Sequence, residues 1–222
     1  MDLRQLPVAI GTTESASPTP SANRHLDLGC GVIPRNPYGR TNLCGIDIQL
    51  QSTAENIEFR VANLTLESIP YADDTFASVS AFDFIEHVPR ILGTADGLGT
   101  RFPFIELMNE VWRVLAPGGR FYALTPAYPH AEAFQDPTHV NIITERTHEY
   151  FCGNQPLGRM YGFHGSFELL RSRWAMLPEE ISATHQLLWH QAYRRWRRLR
   201  RGKLSHLVWE FAAVKSTRSN PA

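Results

Sequence analysis

The chain has 222 residues, 22 basic against 22 acidic side chains, and 43% hydrophobic residues. That length can bury one sizeable core, and the zero net charge gives no compositional sign of a nucleic-acid partner. No apolar run approaches the length of a membrane span and no basic stretch followed by an apolar core marks a secretion signal, so a cytoplasmic protein is expected. Cys30, Cys44 and Cys152 form no metal-type pattern and read as reduced thiols.

In chain order, residues 1–23 read as a flexible leader, rich in Ser, Thr and Pro from Gly11 onward. Residues 24–216 read as a single domain with a basic helical insertion at about 178–204. The first strand ends in the turn Gly29-Cys-Gly31, where two glycines let the backbone approach a ligand. The second, Leu43–Ile48, carries Asp47 at its carboxyl end, placed to accept hydrogen bonds from two ribose hydroxyls. The turn is not G-x-G-x-x-G, so a nucleoside without phosphates suits it better than a dinucleotide. Pro34 and Pro37 predict no helix longer than about one turn in residues 32–42, and the first crossover should be an irregular loop.

Glu58–Ala62 and Ala77–Asp83 follow as strands three and four. Phe104–Leu115 places Ile105, Met108, Val111, Trp112 and Leu115 at helical spacing, and Pro117-Gly118-Gly119 should stop that helix. Arg120–Thr125 reads as strand five and Thr144–Phe151 as a short helix with Thr144 at its N-cap. Ser166–Arg173 and His206–Lys215 read as the last strands. Alternating strands and helices imply a mostly parallel sheet.

Five blocks occur in order: Leu26-Asp-Leu-Gly-Cys-Gly31, Gly45-Ile-Asp47, Leu66–Pro70 with Asp73–Phe76, Phe84-Ile-Glu-His-Val88, and Arg113-Val-Leu-Ala-Pro-Gly-Gly-Arg-Phe121. Together they resemble the class I S-adenosylmethionine-dependent methyltransferases of the small-molecule type. The resemblance implies an α/β, Rossmann-like fold with helices on both faces. Its seven-stranded, mostly parallel sheet would have the order 3-2-1-4-5-7-6 and an antiparallel last strand. It also implies S-adenosylmethionine as cofactor. By that resemblance Asp27, Gly29 and Gly31 form the loop under the methionine part, Asp47 holds the ribose and Ile48 lies against the adenine. Asn63, where the family usually has Asp, sits with Leu64 at the adenine amino group. Asp83 or Phe84 lines the methionine and sulfonium region.

A hydroxyl acceptor must lose a proton, and a base should stand at the carboxyl edge of strands four and five. His139 is the first candidate, with Asp136 three residues away to fix its tautomer. His87 is the second and His130 the third. Glu86, His87, Asp136 and His139 could in principle hold a divalent ion, but nothing in the spacing demands one and no metal is expected. The polar loop Ala127–Asn141 suits O-methylation of a small-molecule or glycan hydroxyl. The alternatives are an RNA or protein methyltransferase and a non-catalytic cofactor-binding domain. His190–Lys203 packs seven basic residues among Tyr193, Trp196 and Leu199. It reads as an amphipathic helix whose Arg194–Arg201 segment meets an anionic partner or a membrane surface. The alternative is a solvated helix with its aromatics packed on the domain.

Overall fold

The computed structural model describes residues 21–49 and 56–215. The expected leader lies outside the described residues except for 21–23, which already belong to the first strand. The main sheet contains β1 (Ser21–Leu28), β2 (Asn42–Asp47), β3 (Ile57–Val61), β4 (Phe76–Phe82), β5 (Leu115–Pro126), β6 (Phe167–Trp174) and β7 (His206–Ala213). Its order is β3-β2-β1-β4-β5-β7-β6, as the resemblance implied. β1 to β5 pair in parallel, and β7 runs antiparallel to both β5 and β6.

Period-two alternation gives the sheet two different faces. Leu26, Leu28, Val79, Ala81, Phe121 and Phe211 lie in the larger core. Helix α1 (Pro103–Val114) covers that core with Phe104, Met108 and Val111 buried. Proline at its first position costs no hydrogen bond. The helix stops at Val114, before the Pro-Gly-Gly segment, which lies inside β5 rather than ahead of it. Leu115 is already extended at ψ 137°, and the residue before Pro117 disfavours helix. Gly118, at φ +73°, lies in the segment where the register to β4 shifts.

The opposite face carries His25, Asp27, Ser78 and Ser80, all fully buried, beside the smaller cluster of Phe82, Tyr122, Leu124 and Val208. Loops cover it. Residues 32–42 form no helix, as Pro34 and Pro37 predicted. Tyr38 donates to Glu210 at 2.9 Å, Tyr122 to the Glu180 carbonyl at 2.7 Å, and the Ala183 amide to the Pro37 carbonyl at 2.9 Å. α2 is a single turn (Glu132–Gln135), and α3 (Trp189–Arg200) stands outside the loop layer. Only the Arg194–Glu179 ion pair and a 3.0 Å bond from Arg195 to the Trp174 carbonyl tie α3 to that layer among the described contacts.

One expectation and one alternative need correction. The helix read at Thr144–Phe151 is one 3-10 turn, Thr147–Tyr150, with Arg146 at its N-cap. Thr144 and Thr147 instead bond each other reciprocally, through the Thr144 amide to the Thr147 hydroxyl at 2.9 Å and the Thr147 amide to the Thr144 carbonyl at 3.1 Å. In α3 no residue is buried, and Trp189 is 83% and Trp196 48% exposed, so the aromatics do not pack on the domain.

Candidate active site

The turn after β1 is built on a buried polar cluster. The Ser80 hydroxyl donates to one Asp27 oxygen at 2.6 Å and the Arg35 amide to the other at 2.8 Å. Because Ser80 gives its proton to Asp27, it accepts from His25 Nε2 at 2.9 Å, which also bonds the Arg35 carbonyl at 3.0 Å. His25 Nδ1 then accepts from Ser78 at 2.8 Å. Burial pushes Asp27 up to about 7 and His25 down to about 4. Asp27 therefore acts from below: it anchors the loop that follows the turn, and both its oxygens are occupied.

Gly29 and Gly31 sit at φ +62° and +59°, the left-handed region that glycine enters without cost. A Cβ on Gly29 would lie 2.4 Å from the Phe84 ring, whereas a Cβ on Gly31 would meet nothing within 4 Å. The first glycine is required by packing and the second opens a cradle. The Gly31 amide donates to Asp47 Oδ2 at 2.9 Å, and the Cys30 amide to the Ile46 carbonyl at 3.1 Å, so the turn is stapled to the end of β2. Ile48 is 63% exposed beside it. The Ala62 amide reaches the Asp47 carbonyl at 3.0 Å and brings in the next crossover. There Leu64 is buried, while Asn63 accepts the Thr65 amide at 3.1 Å in a local turn. The open space at Gly31, the half-exposed Asp47 carboxylate and the apolar Ile48 fit an adenosine group.

Asp83 and Phe84 part company. Phe84 packs on Gly29, but Asp83, left-handed at φ +49°, turns its carboxylate to His206 Nε2 at 3.1 Å. A non-glycine residue there is uncommon and marks a constrained strand end.

Beyond Asp83 opens a cleft of about 550 Å³ at the carboxyl ends of β4 and β5, lined by Asp83, Glu86, His87, Glu132, Asp136, His139 and His206 among others, and by no Lys or Arg among the described residues. Glu86 is 1% exposed. Its Oε2 accepts the Thr125 hydroxyl at 2.9 Å, while Oε1 has no partner and lies 4.0 Å from His139 Nε2. Burial pushes Glu86 up to about 7. The Glu86 carbonyl accepts the amides of Val140 and Asn141 at 3.0 and 2.9 Å, clamping the loop after β5 onto the Ile85–His87 turn. The His87 and His139 rings meet edge to face at 4.7 Å.

Asp136 does not orient His139, contrary to expectation. Its Oδ1 accepts the amide and the hydroxyl of Thr138 at 2.8 and 2.6 Å, which holds its carboxyl below the usual range. Thr138 in turn accepts from His87 Nδ1 at 2.9 Å. The acid is a positioning partner of His87 and leaves His87 Nε2 with its lone pair. His139 has the buried Glu86 as its neighbour instead, with Nδ1 buried and unpartnered. His130 takes the Glu132 amide at 3.3 Å and stays outside the group. His206 was missed because nothing local to the last strand distinguishes it. An aromatic-lined cavity of about 560 Å³ near Phe102, Tyr150 and Tyr161 contains none of the expected site residues.

Residues 26–123 match a family described as a methyltransferase domain. No curated protein matches the chain. Among solved structures, a chain from the complex of the Haloferax volcanii Trm112 methyltransferase activator with a methyltransferase is 16% identical, with a TM-score of 0.54 over 89% of this chain and 85% of that one. The Bacillus subtilis YcgJ protein is 14% identical, with a TM-score of 0.48 over 88% and 93%. Geranyl diphosphate C-methyltransferase from Streptomyces coelicolor is 16% identical, with a TM-score of 0.48 over 86% and 72%. With the strand order and the Gly29–Asp47 cradle already in place, the match over residues 26–123 places a methyltransferase domain in the chain, on the fold that the resemblance to the class I S-adenosylmethionine-dependent methyltransferases implied.

Proposed function

We propose that this methyltransferase acts on a hydroxyl oxygen of a small molecule or glycan, seated at the Glu86–His139 cleft. Bound S-adenosylmethionine supplies a methyl group on a sulfonium, and the acceptor oxygen that takes it must give up its own proton. The chain's residues divide that work. Gly29, Gly31 and Asp47 hold and orient the cofactor, and Phe84 connects the two halves: it packs on Gly29 while Glu86, two residues on, lines the cleft. One observation carries the reading. A carboxylate and two imidazoles converge where, among the described residues, no Lys or Arg lines the cleft to pair with the carboxylate. His139 Nε2 receives that proton, and Glu86 Oε1, 4.0 Å away, stabilises the imidazolium that results. His87, tied through Thr138 to Asp136, positions the acceptor.

The test is methyl transfer to a panel of hydroxyl, amine and carbon acceptors, scored by product mass. His139→Ala should lower kcat by about 10²-fold or more with cofactor affinity nearly unchanged. A hydroxyl product made at full kcat by the variant contradicts the role of His139. Methylation of RNA or protein alone transfers the reading to a macromolecular acceptor, and cofactor binding without any turnover removes the enzyme reading.

We further infer that α3 lies on an anionic membrane surface, which makes the protein peripheral to the membrane. Trp189, Tyr193 and Trp196 recur along one exposed stripe, and the rings of Tyr193 and Trp196 stack at 5.8 Å. Arg197 and Arg200 lie over those rings at 5.9 and 5.2 Å. Gln191 and Arg195, the only partly covered residues of the helix, fall on another face. Exposed indoles and a phenol among arginines suit a headgroup layer, where ring bodies enter the interface and guanidinium groups meet phosphate. No described helix is long and apolar enough to cross a membrane. Co-sedimentation with phosphatidylserine vesicles, lost in the R197Q/R198Q/R200Q/R201Q variant, is the expected result. Absence of vesicle binding, or salt-sensitive RNA binding in its place, overturns this inference.

A further inference from the structure

We propose that Glu86, His87 and His139 form a binding site for one divalent first-row transition-metal ion. Each offers one ligand atom, and these atoms lie within 4.8 Å of one another. Atoms bound to one tetrahedral ion at about 2.1 Å stand about 3.4 Å apart. The 4.0 Å gap between Glu86 Oε1 and His139 Nε2 then tightens by about 0.6 Å, and the widest gap, at most 4.8 Å, by about 1.4 Å, which side-chain rotation supplies.

The second observation is Glu86 itself. Its side chain is 1% exposed, yet Oε1 has no hydrogen-bond partner. A buried carboxylate oxygen left bare is costly, and natural folds pair it with a cation or a donor. Thr125 holds the other oxygen at 2.9 Å and so aims the bare one into the cleft. The third is the outer support of His87. Its Nδ1 proton goes to Thr138, which leans on Asp136, and Nε2 keeps its lone pair for the ion. Metal-bound histidines are commonly fixed this way by a carboxylate-backed partner. No hydrogen bond commits the His139 ring to the backbone among the described residues. The cleft also gathers carboxylates from Asp83, Glu132 and Asp136, with no Lys or Arg among the described residues, so its field attracts a cation.

Two imidazoles with one carboxylate favour zinc, iron, cobalt, nickel or manganese over calcium. Three protein ligands leave positions open for oxygen atoms of an acceptor. This part rests on the hydroxyl-methylation reading and replaces one role in it: with the ion bound, His139 Nε2 is a ligand and no longer the proton acceptor, and the ion lowers the pKa of an acceptor hydroxyl that then loses its proton to water. An acceptor with two neighbouring oxygens would chelate the ion and be preferred.

The test needs neither cofactor nor acceptor, so its failure leaves the methyltransferase reading standing. The full chain, stripped with chelator, is titrated with Co²⁺, Zn²⁺ and Mn²⁺ by calorimetry, and the Co²⁺ form is read by its visible absorption. One ion per chain is expected, with affinity falling at least tenfold in each of His87→Ala, His139→Ala and Glu86→Gln. His130→Ala, outside the group, should bind as the parent does. Circular dichroism and cofactor binding report whether each variant is folded; if one is not, the remaining two and the Co²⁺ spectrum of the parent decide. Absence of stoichiometric binding by the parent, a spectrum without imidazole ligation, or folded His139→Ala and His87→Ala that bind as tightly as the parent overturns the proposal.

Discussion

Alanine at the two glycines of the β1 turn should separate packing from binding. Both residues sit in the left-handed region, at φ +62° and +59°, where any Cβ costs about 1–2 kcal/mol. Gly31→Ala adds nothing more to the fold, since its Cβ meets no atom within 4 Å. Gly29→Ala also overlaps Phe84, at 2.4 Å from Cδ2, 2.9 Å from Cγ and 3.1 Å from Cβ. The whole Phe84 side chain must then move, and overpacking of this kind costs about 1–3 kcal/mol. The expected destabilisation is thus about 1–2 kcal/mol for Gly31→Ala and about 2–5 kcal/mol for Gly29→Ala. For a domain of this size that is roughly 2–8 °C against 4–20 °C in Tm. Cofactor affinity, read by calorimetry, should order the other way per unit of stability lost: the Gly31 methyl enters the open cradle, so this mild variant should bind far more weakly than its Tm suggests. Gly31→Ala with parental affinity would show that no cofactor enters the cradle, and Gly29→Ala melting no lower than Gly31→Ala would show that Phe84 does not constrain the turn.

Asp47→Ala removes a charged acceptor and frees the Gly31 amide, and should weaken the cofactor by about 1.5–3 kcal/mol, or ten- to a hundredfold, in the same calorimeter. Arg113 donates to the carbonyls of Ile69 and Tyr71 at 2.8 Å and pairs with Asp73 and Glu110 at 2.9 and 2.7 Å. Arg113→Ala should cost about 2–3 kcal/mol in urea unfolding, and a loss below 0.5 kcal/mol would show that the crossover after β3 holds without it. His25 and Asp27 should give opposite slopes of stability against pH. His25, lowered to about 4 from 6.5, adds stability as pH rises through that window; Asp27, raised from 3.8 to about 7, removes it as pH rises through its own. With Glu86 also raised, from 4.5 to about 7, the parent should lose some stability as pH rises between about 4.5 and 6.5, and His25→Gln should lose it markedly more steeply. Parallel profiles for the two proteins would contradict this.

The strands and the Gly31–Asp47 contact between the β1 turn and β2 were legible in the chain alone. Apolar runs in β1, β2, β4 and β5 set the strands, the resemblance implied their order, and Pro34 and Pro37 were enough to exclude a helix from the first crossover. Gly31 and Asp47 were legible because the strand end that carries each also dictates the local backbone, and their bond spans only adjacent strands. Boundaries slipped where propensity was weak: the helix read from Thr144 shrank to one 3-10 turn, since four residues bury too little to extend it. The cleft could not be read in the same way. Asp136 stands three residues from His139, yet Thr138 intercepts it and passes it to His87, from another loop; the partner of His139 is Glu86, which the clamp of Val140 and Asn141 on the Glu86 carbonyl brings within 4.0 Å. His206 and Asp83 meet across β7 and β4, far apart in the chain. Such pairings depend on side-chain direction and on which oxygen is already occupied. Only tertiary packing settles these, because spacing along the chain constrains the backbone and leaves contacts between distant loops undetermined.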